Sequence, residues 1–318
     1  MRVPRATTVP RSVALALTFA PVLFAAVISA RAAAQERASI FTMKPNGSDV
    51  RLVVAMPGMI WNGSPSVSPD GKRIAFDASM QVRGGPASHI YVARLSDPAG
   101  SAQYLGLGNC PTWSPSGEKL VFAMQDGNPG RVKVGVWTMN ADGMNRMWLC
   151  EGERGRWSSD GTRLVVRSEH EGFASLYVVT PRFRKRVLFE DYEQVVGAAW
   201  SPDGRQLAFI GERQGDSELA ITSVKGEPDS CRVRYRGRIG WQPSWSPDGK
   251  QILFWIRDGN GAKHLHLIDA AGNDPPQKIP GQQGTFFNSD ASWTPDGMRI
   301  VFISDRPAES SRKPATGR

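Results

Sequence analysis

The chain has 318 residues, 40% of them hydrophobic and 22% charged, with a formal net charge of +9 and a mean hydropathy of −0.33. This is an ordinary soluble globular composition, long enough for two average domains or one large repeat domain. Three cysteines exclude a disulfide-dense scaffold and lack metal-ligand spacing.

The first 34 residues differ from the rest. Arg2, Arg5 and Arg11 precede a nearly uncharged apolar stretch from Ser12 to Ala30, and Ala32-Ala33-Ala34 follows before Gln35. This pattern reads as a secretory signal, with Pro21 and the small-residue site favouring cleavage over a membrane anchor. The four arginines of the leader account for part of the positive charge, leaving +5 for the mature chain. The remaining basic residues are scattered, so they read as solvation and not as a nucleic-acid footprint. The densest cluster, "RFRKR" from Arg182 to Arg186, is expected to be an exposed hairpin turn.

Next comes "SIFTMKPNGSDVRLVV" (39–54), which has the pattern of a strand, an Asn-Gly turn and a second strand. From residue 67 a phrase then repeats six times: "VSPDGKRIAF", "WSPSGEKLVF", "WSSDGTRLVV", "WSPDGRQLAF", "WSPDGKQILF" and "WTPDGMRIVF". Its first turn residues, Ser68, Ser114, Ser158, Ser201, Ser246 and Thr294, lie 46, 44, 43, 45 and 48 residues apart. A period near 45 built of strands is that of a propeller blade, since four short strands and their turns fill it.

The phrase is hairpin chemistry. Pro suits the second position of a type I turn, Asp bonds nearby backbone, and Gly takes the left-handed exit. Asp70, Asp160, Asp203, Asp248 and Asp296 are therefore turn residues, not catalysts. The Trp before the turn (113, 157, 200, 245 and 293, with Val67 in the first copy) is expected to fill the wedge between blades.

Each copy is followed by a third strand, as in "LAITSVKG" (219–226), until the last, where too little chain remains for outer strands. The strand pair at 39–54 supplies them. The expected fold is thus all-β, a six-bladed β-propeller spanning residues 35–305 and closed by amino-terminal strands that complete the last blade, which leaves few open sheet edges. The tail, 306–318, is rich in Ser, Pro, Lys and Arg and is expected to be disordered.

"WSPDGRQLAF" together with "WTMNADG" resembles the repeat of the TolB-type six-bladed propeller family, over residues 38–305. The resemblance implies a periplasmic or secreted protein of the cell envelope whose propeller binds other proteins and has no enzymatic activity. The chain passes from its leader straight into blade strands, without room for the amino-terminal α/β domain of that family. Similar repeats occur in prolyl-oligopeptidase-type peptidases, which need a hydrolase domain and a Gly-x-Ser-x-Gly elbow that this chain lacks.

Blade interiors are committed to packing, so function is expected in loops at the channel mouth. Candidate partner-binding residues there are Trp61, Asn62, Asn109, Arg154, Arg156, Trp241, Gln242, Phe287, Asn288 and Asp290, with Ser64, Thr112, Glu153 and Gln194 beside them. Arg154, Trp61 and Trp241 lead, because Arg and Trp are favoured at interface hot spots. The expected partner is a protein or peptide segment, bound by a monomer without nucleic acid, cofactor or metal. Two longer loops, 77–89 and 124–134, would flank one side of the mouth.

An enzyme alternative rests on the four histidines, His89, His170, His264 and His266, because a lyase that degrades oligogalacturonate on similar repeats uses propeller histidines around a metal. Here they fall on separate blades, apart from His264 and His266, so convergence on one ion is not expected. Cys110 and Cys150, both preceding inner strands of neighbouring repeats, are the best candidates for a disulfide.

Overall fold

A computed structural model of the protein describes residues 38–82, 85–125, 134–170, 173–180, 184–186, 192–225, 230–282 and 286–307. Residues 1–37 and the segment beyond Pro307 lie outside the described residues.

The repeated turn folds as its residues dictate. In the fourth copy Gly204 N–H donates to the Ser201 carbonyl (2.9 Å), closing the turn. The Ser201 hydroxyl donates to Asp203 Oδ1 (2.6 Å) and accepts from Gln206 N–H (2.9 Å), while Asp203 Oδ1 also accepts from Arg205 N–H (3.0 Å). These donors, the Ser201 hydroxyl first, hold the Asp203 carboxyl below its ordinary range. All six turn glycines sit at φ between +68° and +72°, where a Cβ would be strained.

Each turn joins the first two strands of a four-stranded antiparallel sheet, and there are six such sheets. Blade 1 is Trp61–Val67, Arg73–Val82, Gly85–Arg94 and Gln103–Leu107. Blade 2 is Asn109–Trp113, Lys119–Gln125, Val134–Asn140 and Met147–Glu151; blade 3 is Glu153–Trp157, Leu164–His170, Phe173–Val179 and Arg184–Arg186. Blade 4 is Gln194–Trp200, Gln206–Arg213, Asp216–Ser223 and Arg232–Arg236; blade 5 is Ile239–Trp245, Gln251–Arg257, Lys263–Asp269 and Gln277–Lys278. Blade 6 is Asn288–Trp293 and Ile300–Ser304, completed by Ser39–Met43 and Arg51–Val54 from the other end of the chain.

The register of that closure runs Ser39↔Ser304, Phe41↔Phe302 and Met43↔Ile300. Arg299 clamps it from the side, donating to Thr42 Oγ1 (3.0 Å), Asp49 Oδ2 (2.8 Å) and the Asp49 carbonyl (2.7 Å). The first strands of neighbouring blades approach one another all the way around, including blade 6 against blade 1, and so line the axis.

Strand alternation sends one face of each blade to its predecessor and the other to its successor. In blade 1, Ile74 and Phe76 pack with Ile40 and Val54 of blade 6, whereas Ala75, Ile90 and Val92 pack with Trp113, Leu120 and Phe122 of blade 2. Six such cores alternate with six blades. Phe76, Phe122, Phe209, Phe254 and Phe302 occupy one repeat position and are fully buried.

The tryptophans do more than fill the wedges. Trp200 Nε1 donates to the Arg156 carbonyl of the preceding blade (3.0 Å), as Trp113 does to Ser66 (3.0 Å) and Trp245 to Ala199 (3.2 Å). Arg163, also of the preceding blade, lies 4.8 Å over the Trp200 ring and donates to the Gly204 carbonyl (3.2 Å). The buried indole N–H of Trp157, at the same repeat position, finds no acceptor among the described residues. Both Trp→Phe changes lose the same ring volume, so Trp200→Phe, which also orphans the Arg156 carbonyl, is expected to destabilise by about 1–2 kcal/mol more than Trp157→Phe, which removes an unsatisfied donor. Chemical denaturation of the two variants checks this, and equal losses would refute it.

Three local expectations change. Residues 77–89 are not a long loop: the second and third strands of blade 1 pair out to Val82↔Gly85, and only residues 83 and 84 between them lie outside the described set. Most of the 124–134 segment also lies outside it. Within "RFRKR", Arg184–Arg186 is the fourth strand of blade 3, paired with Tyr177–Val179. Cys110 and Cys150 lie on the first and fourth strands of one blade, with two strands between them, and sheet spacing of about 4.8 Å per strand puts them beyond disulfide reach. No disulfide forms among the described residues.

Candidate functional site in the axial channel

The first strands converge on the axis, and each is interrupted by a bulge near its start. The pairing registers shift between Gly63 and Ser66, Asn109 and Thr112, Glu153 and Arg156, Val195 and Gly197, Gly240 and Ser244, and Ser289 and Ser292. Four residues four places before the repeated turn residue adopt left-handed backbone: Ser64 (φ 47°), Cys110 (52°), Arg154 (53°) and Asp290 (45°). Non-glycine residues there store about 1–3 kcal/mol each, sustained only where the surrounding structure enforces them. Gly197 and Gln242 hold the same place in blades 4 and 5.

These positions meet. Ser64 Oγ donates to Cys110 Sγ across the blade 1–blade 2 junction (3.5 Å), and Cys110 N–H donates to Asp77 Oδ1 (3.2 Å). Arg156 donates to Thr112 Oγ1 and to the Gly155 carbonyl (3.1 Å). Gln242 Nε2 donates to the Ala198 carbonyl of blade 4 (2.8 Å), and Arg167 bonds both Glu153 and the Val195 carbonyl. The result is a polarised channel, with guanidinium groups on blade 3, carboxylates on blades 6 and 1 facing them, and hydroxyl and thiol groups on blade 2.

Asp77 carries a raised pKa. Its residue is only 5% exposed, and burial pushes the carboxyl up to about 6. Hydrogen bonds from Ser64 and the Cys110 N–H oppose the rise, Asp290 adds to it, and Arg154 opposes it. Burial raises the Cys110 thiol, which therefore stays protonated near neutral pH. Burial also lowers Arg156.

The residues singled out from sequence divide. Arg154, Arg156, Gln242 and Asp290 lie in the channel, and Asn109 is exposed at the start of its strand. Trp61 stacks on Phe287 (5.7 Å between rings, 7° between planes) and Phe287 N–H donates to Asp305 (2.9 Å). Asn62 is 2% exposed and donates to the Ala38 carbonyl (2.8 Å); Asn288 is fully buried and accepts from Arg306 Nη2 (3.0 Å). Asn62, Phe287 and Asn288 thus hold the closure of the ring and are not at the mouth. The Trp241 side chain lies outside the described residues.

Asp77, by contrast, is absent from that set. Its signal was present: nine residues after the turn residue the other copies carry Ala123, Arg167, Ile210, Trp255 and Ile303, so an aspartate interrupts a mostly apolar column. The histidines whose side chains are described fall on two blades. His89 lies on blade 1 against Tyr104 (3.3 Å), while on blade 5 His264 pairs with Asp258 (3.1 Å) and His266 bonds the His264 carbonyl (2.8 Å). The side chain of His170 lies outside the described residues. Among the described residues no three His, Cys, Asp or Glu side chains gather as a metal site would require.

The family model described as TolB beta propeller domain matches residues 153–274 and 182–311, together half of the chain. The Tol-Pal system protein TolB of Francisella tularensis subsp. mediasiatica is 19% identical over 238 residues, 73% of this chain and 54% of that protein. The chain thus spans about half the length of the curated relatives it matches. Among solved structures, a propeller from Agrobacterium tumefaciens provisionally named TolB aligns with a TM-score of 0.69 and 21% identity, over 85% of this chain and 99% of its own. TolB from Acinetobacter baumannii aligns with a TM-score of 0.58 and 17% identity, over 84% and 63%. Oligogalacturonate lyase in complex with manganese shares the fold at a TM-score of 0.50 and 17% identity, over 69% and 68%. Six blades, closure by the amino-terminal strands and the family match agree: the chain belongs to the TolB beta propeller domain family.

Proposed function

We propose that this propeller is a non-catalytic binding module of the cell envelope, exported by its leader, which captures an extended segment of a partner protein at the channel mouth. The observation that carries the reading is the ring of left-handed residues at one repeat position, each of different chemistry, on an otherwise regular scaffold. Repeated strain at a single level of the channel, with no nucleophile set against a base among the described residues, fits recognition better than turnover. A rigid ring also limits the ordering lost on binding. The chain would act as a monomer, without cofactor or metal.

The test is retention of envelope proteins on the immobilised propeller. Unaltered protein and Met298→Glu, changed at a 67% exposed residue of a repeated turn, should retain the same protein; Arg154→Glu should lose it by at least tenfold while still unfolding cooperatively. Equal retention by all three refutes a mouth site. The lyase alternative draws only on fold likeness, and metal analysis of purified protein decides it: stoichiometric metal lost on His264→Ala would favour it.

A further inference from the structure

The charges in the channel are sorted in a way that protein capture alone does not require. Arg154 and Arg156 lie on the same strand of blade 3. Asp290 lies on the first strand of blade 6, diametrically across a six-membered ring, and Asp77 on the second strand of blade 1 beside it. Ordinary ion-pair networks interleave opposite charges; here like charges sit together and opposite charges face one another across the axis.

Asp77 and Arg156 each feel the like charge beside them more than the opposite charge across the axis, while on Arg154 the acids Asp290, Glu153 and Asp77 all act to raise the pKa. On Asp77, Asp290 acts more strongly to raise the pKa than Arg154 does to lower it. On Arg156, Arg154 acts more strongly to lower it than Asp290 does to raise it. Cys110 stands near both walls, but its raised thiol supplies no negative charge near neutral pH. Glu153, the remaining acid of blade 3 here, is engaged by Arg167. The channel therefore holds separated charge, with guanidinium donors on one side and carboxylate acceptors on the other. On blade 4 Gly197 places no side chain at this level.

We propose that the axial channel binds a zwitterionic ligand, an amino acid or short peptide with both termini free, its carboxylate against Arg154 and Arg156 and its ammonium against Asp290 and Asp77. Such a ligand carries the complementary dipole: guanidinium pairs bind carboxylates through charge-assisted hydrogen bonds, and a buried carboxylate pair accepts an ammonium in the same way. Arg156 is already oriented by Thr112 and Asp77 by Cys110 N–H, so the receiving groups need little reordering. This site does not depend on capture of a protein partner; either can fail while the other holds.

Calorimetric titration of the full chain near pH 7 with triglycine, N-acetyl-triglycine and triglycine amide tests it. Triglycine should bind, and removing either terminal charge should weaken binding about tenfold or more. In Arg154→Gln, triglycine should fall to the affinity of its amide, with amidation then causing little further loss, as expected when a mutation and a cap remove the same contact. Glycine binding as tightly as triglycine identifies a free amino acid as the ligand; a preference for triglycine identifies a peptide. Absence of binding, indifference to both caps, or sensitivity to only one of them overturns the proposal, and the cap comparison on unaltered protein decides it even if Arg154→Gln does not fold.

Discussion

A chain shortened to begin at Pro57 is expected to have no cooperative folded state. The missing segment carries Ile40, Phe41, Met43 and Val54, each at most 3% exposed. At about 1.5–3 kcal/mol per buried side chain, their loss removes roughly 6–12 kcal/mol, comparable with the whole stability of an ordinary domain at about 5–15 kcal/mol. The damage also spreads: Phe41 and Met43 belong to the core between blades 5 and 6, and Ile40 and Val54 to that between blades 6 and 1. Ile300–Ser304 becomes an unpaired edge bearing Phe302, an invitation to aggregate. Denaturant unfolding of the shortened chain, with and without a synthetic peptide of residues 38–54, measures this; the peptide should restore solubility and a cooperative transition. A shortened chain that unfolds cooperatively at an unchanged midpoint would show that closure contributes little. Arg299→Ala, which loses the clamp on Thr42 and Asp49 but no buried apolar surface, should be far milder.

What could be read from the amino-acid sequence follows this division between backbone chemistry and side-chain placement. The turn, the period and the pairing of Ile40–Val54 with the last repeat depend on local rules: a Pro, an Asp and a Gly at fixed offsets, then a strand count that must close. The mouth depends on facing, and there the bulges intervene. Simple alternation puts Asn62 and Ser64 on the same face of their strand, but the register shift between Gly63 and Ser66 breaks that parity. Asn62 turns into the closure against Ala38, while Ser64 reaches Cys110 in the channel. The same break, between Ser289 and Ser292, separates buried Asn288 from Asp290. A bulge of this kind carries no fixed residue signature: serine, cysteine, arginine and aspartate all occupy it. Arg154 and Asp290 could be nominated as charges near a loop, but the electrostatic partner that gives them meaning, Asp77, sits in the middle of a second strand where the repeat calls for an apolar residue.

Asp77→Asn is expected to stabilise the protein above pH 6 and to make no difference near pH 4. The folded-state carboxyl titrates at about 6, against 3.8 for its ordinary value. Between those values the native state holds a proton that the unfolded chain has released, so this group's contribution falls as pH rises, the opposite of the usual acidic pattern. Above pH 6 the ionised, buried carboxylate costs about 3 kcal/mol, at about 1.4 kcal/mol per pH unit of separation. Asparagine keeps an oxygen for the Cys110 N–H and removes the charge, so the gain of the variant should climb from near zero at pH 4 to about 2–3 kcal/mol at pH 7.5. Asp49, held down at about 2 by Arg299 first and Arg51 next, contributes with the opposite sign, since its stabilisation is present above 3.8 and lost on acidification. It is common to both proteins and cancels in the difference. Urea unfolding of the pair across this pH range provides the measurement, and a difference that stays flat with pH would mean that Asp77 is ionised without penalty.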